Sequence, residues 1–425
     1  MSTYYLRIEA VNFDHFLGDT HDLSTIRGGG LLMLDAIEKA VSKDSELHEV
    51  YIGASTGLFT FERPDANAAE DKRREVQTRL HQGALQEGTL MVDILPSGDL
   101  NTGELLAALT TKNRLRQMTA PSVIMPAEGG NQVCEVSDLR PAAESISWKD
   151  GSPKQVSSAV LERRKYGIKQ KFHFYKEHSR IDAEYVNELD HLTGRAGHDR
   201  DQGLLQHKLA LIYLDGNKFG EILRDCASDE RLGAWSKQLQ ESQNEFLSHV
   251  LKKAVTDPDW QWSGEETPRI RLETLLWGGD EIIWVVPAWK GWWMLGEFFK
   301  TFGHVDGKPT RLTFSPDGVE RKLTHGASIV FAHHHAPIHR LRDLAEKLAH
   351  RPKVRGKKEP MSNWFTYQVL ESFDHLGTDP DTTRQNRLPE GVDLDALSLP
   401  GDGMQEIPDI LDRFRKEFPK SKLTT

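Results

Sequence analysis

Cysteines and long apolar runs are the scarcest features of this sequence, and each scarcity excludes a class of protein. The chain has 425 residues and only two cysteines, Cys134 and Cys226, so a disulfide framework and a four-cysteine zinc site are excluded. The longest strongly apolar run, residues 282–289, contains Pro287 and is far shorter than the ~20 residues of a membrane-spanning helix. No basic segment followed by an apolar one opens the chain, so we expect a cytoplasmic protein without a secretory signal and with no membrane partner.

Positive charge is also in short supply. The sequence has 54 Lys and Arg residues against 64 Asp and Glu residues, a net charge of −10. This balance argues against a protein whose whole surface binds a nucleic acid backbone, and it leaves a local basic groove open. Hydrophobic residues make up 38% of the chain, enough for real cores, and the length predicts two or three domains.

The best-defined unit lies in residues 204–373. A buried strand ends at Asp215, an amphipathic helix follows, and two strands then flank a Gly-Gly-Asp-Glu turn at residues 278–281. A further helix, a strand and a helix predicted to end near Pro352 complete the order β-α-β-β-α-β-α. This order is ferredoxin-like, and it predicts that the first and third strands of the unit lie side by side.

Residues 1–125 repeat the same order of elements, with a helix that is entered through the glycines at 28–30. Alignment of the two copies puts Glu9 in the place of Asp215, and Ser55 and Thr56 in the place of the two acids of the hairpin. The first copy has therefore lost its paired carboxylates, and we interpret it as structural.

Two polar segments complete the chain. Residues 126–203 contain many turn-forming residues and are predicted to be a loop-rich insert. Residues 374–425 form a tail in which residues 404–418 are predicted to be helical. The fold class is therefore α+β, with two tandem ferredoxin-like domains at 1–125 and 204–373.

The acidic residues of the second copy predict a site for metal and nucleotide. The ferredoxin-like order brings Asp215 beside Asp280 and Glu281 at one edge of the sheet. Converging carboxylates suit two Mg²⁺ or Mn²⁺ ions, which together can activate a hydroxyl and stabilise departing pyrophosphate. Gly278 and Gly279 have no side chains, so a nucleotide can approach the backbone closely. A polar hairpin turn is the alternative for the tetrapeptide taken alone.

These motifs resemble those of the palm-type nucleotidyl cyclases and polymerases. That group includes the GGDEF diguanylate cyclases and, more closely, the large subunit of type III CRISPR effector complexes of the Csm and Cmr kind. The resemblance rests on the strand end at residues 215–220, the hairpin at 278–281, and Ala345-Glu346 with Lys353 in the last helix. It extends to the order of a degenerate first palm, an intervening segment and a second palm.

The resemblance implies an activity and a set of residues. It implies that two nucleoside triphosphates, with ATP favoured, are joined into a cyclic or linear oligonucleotide signal for antiviral defence. RNA and other CRISPR effector subunits are the implied partners, and an oligomer is possible in principle. The metal ligands would be Asp215, the Gly216 carbonyl, Asp280 and Glu281; the nucleotide contacts would be Gly216, Asn217, Lys218, Phe219, Gly278, Gly279, Lys353 and Lys357.

The chain also departs from the family pattern. We expect no HD nuclease domain, because the sequence starts at the first predicted strand. The zinc module between the palms is reduced to Cys134. Asn217 replaces the second acid of the strand motif, and Glu281 replaces the last aspartate of the hairpin, as in GGDEF cyclases. These changes keep two alternatives open: a scaffold subunit with weak or no catalysis, and a diguanylate-type cyclase that uses GTP.

Two further features, one basic and one rich in histidine, each have a simpler alternative to ligand binding. Lys353 and Lys357 lie where the helix dipole favours a solvated basic end. His333, His334 and His335 follow one another in a predicted strand, where successive side chains point to opposite faces. We therefore do not expect the three histidines to share a metal ion.

Overall fold

The computed structural model defines most of the chain. It describes residues 1–11, 13–42, 44–53, 55–82, 85, 88–119, 132–148, 151–302, 304–305, 308–309, 313–358, 360–371, 379–389, 391–407, 410, 413 and 417. Among the helices of these ranges, none combines the length and apolar character that crossing a bilayer requires.

The first unit has the predicted ferredoxin-like topology. Its four strands form an antiparallel sheet in the order β2-β3-β1-β4. The helices connect the strands in the expected sequence. The elements are β1 (Ser2–Val11), α1 (Phe13–Gly18), α2 (Leu23–Ser42), β2 (His48–Ile52), β3 (Thr56–Arg63), α3 (Ala66–Leu80), β4 (Thr89–Pro96) and α4 (Thr102–Thr119).

Helix α2 starts earlier than the sequence indicated. The glycines at 28–30 lie inside it rather than before it. A Cβ atom at Gly28 would lie 1.8 Å from the carbonyl oxygen of Arg163, and one at Gly30 would lie 2.3 Å from that of Leu275. The glycines therefore let α2 touch the backbone of two other parts of the chain, and this packing outweighs their low helix propensity.

The sequence predicted a loop-rich insert at residues 126–203, but the described part of this segment contains helices and strands. It contains β5 (Glu144–Ser147), β6 (Pro153–Val156), α5 (Ser158–Ser179), β7 (Glu184–Tyr185) and α6 (Leu189–Thr193). The long helix α5 packs against α2. Its buried stripe includes Arg163, Gly167 and Lys171 at four-residue spacing, so polar residues conceal the helical period that hydrophobic residues would have shown.

The second unit carries a larger sheet. The strand order β11-β12-β8-β17-β18-β19 confirms that the first and third strands of the unit, β8 and β12, are neighbours. The tail contributes the last strand, β19, which pairs with β18. The elements are β8 (Lys208–Gly216), α7 (Phe219–Arg224), α8 (Asp229–Ala254), β9 (Gln261–Trp262), β10 (Arg269–Ile270), β11 (Glu273–Gly278), β12 (Glu281–Pro287), α9 (Ala288–Phe302), β13 (His304–Val305), β14 (Lys308–Pro309), β15 (Thr313–Phe314), β16 (Arg321–Lys322), β17 (His325–His333), α10 (Ile338–Gly356), β18 (Trp364–Val369), α11 (Pro380–Gln385) and β19 (Leu399–Pro400).

Strand β8 is apolar from Leu209 to Leu214 because both faces of its sheet are covered. Ile212 and Leu214 belong to one hydrophobic cluster, with residues of α8 and α9. Leu211 and Tyr213 belong to another, with residues of α10. A strand buried on both faces is a nearly continuous apolar run.

Two predicted helix ends differ from the structure. Helix α10 continues through Pro352 to Gly356. A proline removes one backbone donor, and contacts with β17 keep the last turn in place. In the tail, a 3-10 helix spans Gly401–Glu406, whereas most of the predicted helix at 404–418 lies outside the described residues.

Candidate active site

The end of β8 and the tip of the β11–β12 hairpin meet at one edge of the second sheet. Asp215 pairs with Glu281 across the two strands. The backbone N–H of Gly216 donates to the carbonyl oxygen of Asp280 at 2.8 Å. Directly opposite residues of an antiparallel pair have their side chains on the same face. The structure therefore places the three acids that the sequence singled out at neighbouring backbone positions of one sheet edge.

Glycine chemistry shapes the hairpin tip. The φ angles of Gly278 and Gly279 are 122° and 60°, values that side-chain-bearing residues rarely adopt. The Gln243 side chain of α8 donates through Nε2 to the carbonyl oxygen of Gly279 at 3.0 Å. These constraints hold the turn in a form that leaves Asp280 exposed at its tip.

Helix α10 brings a lysine to the same edge. Gly326 of β17 lies opposite Asp215, and a Cβ atom at Gly326 would come within 2.7 Å of the Lys353 backbone. The absence of a side chain lets the end of α10 approach the sheet. As a result, the Lys353 ammonium forms an ion pair with the Asp215 carboxylate.

The carboxyl group of Glu281 points to a tyrosine. The Tyr213 hydroxyl donates to Glu281 Oε1 at 2.7 Å. Burial raises the pKa of Glu281 to about 7, the hydrogen bond opposes this rise, and the charges of Asp280, Asp215 and Glu346 add to it. Glu281 is therefore poised between its protonated and ionised forms near neutral pH.

The edge carries more negative charge than its local partners balance. Burial raises the pKa of Asp215 although the Lys353 ammonium opposes the rise, and the Asp280 charge adds to it. One oxygen of Asp215, Oδ1, is buried without a hydrogen-bond partner. A buried carboxylate oxygen that accepts no hydrogen bond and lies next to a second carboxylate suits a hard divalent cation. Mg²⁺ in particular is usually bound by one or two carboxylates.

A pocket of about 290 Å³ lies next to this edge. Its lining includes Phe219, Gly278, Gly279 and Asp280. Asp280 thus belongs both to the pocket and to the acidic edge. The sequence-predicted contacts that fall outside the lining are Gly216, Asn217, Lys218, Lys353 and Lys357.

The first unit supplies the opposite wall of the pocket. Its hairpin residues Gly53, Ser55 and Thr56 are part of the lining. Glu9 pairs with Thr56 as Asp215 pairs with Glu281, so the structure confirms the alignment of the two copies. The first unit is therefore part of the pocket and not only a structural support, which sequence reasoning missed.

Other lining residues come from helices that the sequence did not connect with a site. They include His178 of α5 and Trp235, Leu239 and Gln243 of α8. Helix α5 lies in the segment interpreted as loop-rich, so its residues had no predicted position. The helical period of α8 was visible, but nothing in the sequence indicates which helix faces a pocket.

The remaining predicted contacts have defined positions. Asn217 is fully buried, and its side-chain amide donates to Thr324 Oγ1 at 3.0 Å. Lys218 has a left-handed backbone, with a φ angle of 58°, just before α7. Phe219 packs edge-to-face on Trp235, with ring centroids 5.2 Å apart. Lys357 directly follows α10, and its charge lowers the pKa of the Asp215 carboxyl against the larger effect of burial. Nucleotide contact by these residues stays a prediction.

Comparison with known proteins matches this geometry to a family. The family model described as "Cas10/Cmr2, second palm domain" matches residues 208–362. The second unit is therefore similar to the palm domain that this model describes. The matched span runs from the start of β8 to the loop before β18, so it includes the acidic edge and Lys353. No curated protein matches the chain.

Solved structures extend the likeness to both palm domains. The chain of an apo Csm1–Csm4 cassette matches with a TM-score of 0.56 and 12% identity, over 96% of this chain and 57% of that chain. A Csm1–Csm4 cassette in complex with cA3 matches with a TM-score of 0.52 and 11% identity over the same shares. This protein thus spans just over half the length of those chains. In fold it is similar to those chains, with two tandem palm-like units.

Proposed function

We propose that this protein is a metal-dependent nucleotidyltransferase that joins nucleoside triphosphates, ATP by preference, into cyclic or linear oligonucleotides for antiviral defence. One observation carries the proposal: Asp280 belongs both to the pocket between the palms and to the edge that holds Asp215. A nucleotide bound in the pocket would therefore present its phosphates beside carboxylates that suit divalent cations.

Each group at the edge has a role in this proposal. Asp215 and Asp280 would hold two Mg²⁺ or Mn²⁺ ions, with the Gly216 carbonyl as a further ligand and Glu281 assisting. When bound, such ions lower the pKa of an attacking hydroxyl and stabilise the departing pyrophosphate. Lys353 brings positive charge to the same edge, which favours a triphosphate.

The two similar walls of the pocket support the proposal that it binds two nucleotides. Its two walls are hairpins from equivalent positions of two palms, so each wall offers a turn of small residues, Gly53 and Ser55 on one side and Gly278 and Gly279 on the other. Positioning two triphosphates against each other would supply much of the rate, because phosphoryl transfer needs alignment and charge neutralisation rather than a covalent intermediate.

The choice of ATP and of partners rests on the solved relatives. The cassette with the TM-score of 0.52 holds cA3, and both matching structures pair Csm1 with Csm4. By extension we propose that this protein uses adenine nucleotides and assembles with other CRISPR effector subunits. We further propose that RNA held by such an assembly controls its activity.

Two contacts favour a second candidate, a scaffold subunit with little catalysis. The Lys353 ammonium neutralises Asp215, and Tyr213 donates to Glu281. Both acids thus have protein partners without a metal ion. The Glu281 that replaces aspartate in the hairpin favours a third candidate, a diguanylate-type cyclase that uses GTP.

One experiment separates the three candidates. The purified protein is incubated with each labelled nucleoside triphosphate and Mg²⁺ or Mn²⁺, with and without RNA, and products are resolved by chromatography. Asp280→Asn removes the charge at constant shape, and Asp71→Asn, an exposed acid on α3, is the matched control. We expect product from ATP, unchanged in Asp71→Asn and lower by about a hundredfold or more in Asp280→Asn.

The other outcomes are equally informative. Product from Asp280→Asn at the rate of the unchanged protein would overturn the assignment of the metal site. Product from GTP alone would favour the diguanylate-type cyclase. No product under any condition, together with co-purifying RNA or protein subunits, would favour the scaffold.

A further inference from the structure

Three histidines converge at the end of the second sheet that lies farthest from the acids. Strand β17 ends at His333, and His334 and His335 lie in the turn before α10. Only His333 lies in the strand, so the alternation of side chains between the two faces of a strand does not separate the three histidines. One ligand atom from each histidine lies within 4.8 Å of the other two, so the expectation that they cannot share an ion is wrong on geometric grounds.

The three imidazole rings form a compact group. Their centroids are 4.5 Å apart between His333 and His334, 4.1 Å between His334 and His335, and 4.9 Å between His333 and His335. The ring of His207, at the start of β8, lies 5.4 Å from that of His334. Within the described ranges, His333, His334 and His335 are the one group of three potential ligands that converges this closely.

Hydrogen bonds fix which nitrogens can bind a metal. His334 Nδ1 lies 2.9 Å from the carbonyl oxygen of His207. A carbonyl only accepts, so Nδ1 carries the proton and a neutral ring has its lone pair on Nε2. The backbone N–H of His335 donates to His333 Nδ1 at 3.3 Å, so metal binding at that nitrogen would replace this long hydrogen bond. A ring N–H that donates to a backbone carbonyl is the usual support of a metal-bound histidine.

The free side of His334 faces a carboxylate. Its Nε2 lies 2.6 Å from Asp190 Oδ1 of α6. A separation of 2.6 Å is a direct hydrogen-bond distance. It is too short for a metal ion to lie between the two atoms, because Zn²⁺ bonds to nitrogen and oxygen are each about 2.0–2.2 Å long. Zn²⁺ binding at His334 Nε2 would therefore replace this hydrogen bond and move the Asp190 carboxylate outward, which its 72% exposed side chain allows.

We propose that His333, His334 and His335 bind a late first-row transition metal ion such as Zn²⁺, with Asp190 as a candidate fourth ligand. Imidazole nitrogen is a preferred ligand for Zn²⁺, Ni²⁺ and Cu²⁺, whereas oxygen-only sites suit Mg²⁺ and Mn²⁺. The group is therefore chemically distinct from the acidic edge. His333 pairs with Lys208 while His325 pairs with Gly216, which places the group about 25 Å from the acids at about 3.3 Å per residue.

A metal at this position would tie three elements together. The backbone N–H of His334 donates to the carbonyl oxygen of His207 at 3.0 Å, which joins the turn after β17 to the start of β8. Asp190 adds α6 of the insert. A bound ion would stabilise the junction at which α10 begins, at the opposite end of the sheet from the acidic edge. We therefore propose a structural role for the ion.

The test measures binding of Zn²⁺ to the full-length protein after treatment with a chelator. Equilibrium dialysis is carried out with excess Mg²⁺, which occupies oxygen-only sites. The variant His333→Ala/His335→Ala removes two exposed members of the group, and His198→Ala/His350→Ala removes two exposed histidines elsewhere. Co²⁺ in place of Zn²⁺ reports the ligand set through its visible absorption.

We expect a single Zn²⁺ per chain at micromolar or lower concentration, a Zn²⁺-dependent rise in Tm, and loss of both in His333→Ala/His335→Ala only. Equal Zn²⁺ binding by the two double variants would overturn the proposal, as would a Co²⁺ spectrum that the first variant leaves unchanged. Absence of Zn²⁺ binding by the unchanged protein would also overturn it and would leave His334 hydrogen-bonded to Asp190.

Discussion

A buried group of three charges joins the parts of this protein, and its disruption gives the sharpest prediction of stability. Glu273 of β11 binds Arg27 of α2 at 2.7 Å and Lys171 of α5 at 2.8 Å. The side chains of Glu273, Arg27 and Lys171 are 0%, 1% and 3% exposed. The second palm, the first palm and the insert thus meet at one carboxylate.

Glu273→Gln would leave two buried cations without a counter-charge. Loss of one partner of a buried ion pair costs about 3–5 kcal/mol, because the remaining charge is uncompensated. For a chain of 425 residues that unfolds as one unit, we expect Tm to fall by about 3–6 °C. Glu265→Gln is the matched control, because Glu265 pairs with Arg269 at the surface, where such pairs contribute about 1 kcal/mol or less.

The loss should depend on pH in a defined direction. Burial lowers the pKa of Lys171 from 10.5 to about 8, against the attraction of Glu273. The unfolded chain holds this proton up to about pH 10, so the penalty for Lys171 is fully present below pH 8 and disappears as pH rises above it. Without Glu273 the pKa falls further, and the lysine sheds its proton at lower pH. The difference between Glu273→Gln and the unchanged protein should therefore be smaller at pH 9 than at pH 7.

Thermal unfolding followed by circular dichroism at both pH values checks these expectations. Equal shifts in Tm for Glu273→Gln and Glu265→Gln would refute the argument from buried charge. A difference that grows between pH 7 and pH 9 would refute the account of Lys171.

Three further predictions concern other parts of the structure. Glu281→Gln removes a carboxyl group whose pKa is raised from 4.5 to about 7. Without divalent cations, the unchanged protein should lose stability as pH rises from about 5 to 7, whereas the variant should not. Urea unfolding midpoints at pH 5 and pH 8 measure this difference. Gly326→Val puts a side chain against the backbone of Lys353 and should cost about 1–3 kcal/mol in urea unfolding, whereas Gly220→Ala in α7 meets open space and should not destabilise. Ser157→Ala removes the oxygen that accepts from the backbone N–H of Val160 at the start of α5, and should lower the free energy of unfolding by about 1 kcal/mol.

The acidic edge was predictable because its signals are local. An apolar run of strand length ends at Asp215, and two glycines precede Asp280 in a hairpin. Strand order then follows from the succession of elements, which the sheet order confirms. Backbone pairing of Asp215 with Glu281 is a direct consequence of that order.

The features that escaped prediction depend on packing between distant segments. The buried stripe of α5 contains Arg163, Gly167 and Lys171, whose burial depends on carboxylates and glycines far away in the sequence. The glycines at 28–30 predicted a helix boundary from the sequence. Their actual role, close contact with the backbones of Arg163 and Leu275, depends on segments that are distant in the sequence. His334 and His335 were assigned to a strand because strand ends are the least certain feature of an apolar pattern.

The pairing of Glu9 with Thr56, set beside that of Asp215 with Glu281, gives the pocket a direction. Two hairpins of the same fold face each other, yet only one carries acids. A pocket with an acid at the tip of both hairpins could exchange the roles of its two occupants, whereas this pocket has Ser55 and Thr56 at one tip and Asp280 at the other. Under the proposed activity, the occupant beside Asp280 is always the one whose phosphate reacts or departs, so any oligonucleotide made here would grow with a single polarity.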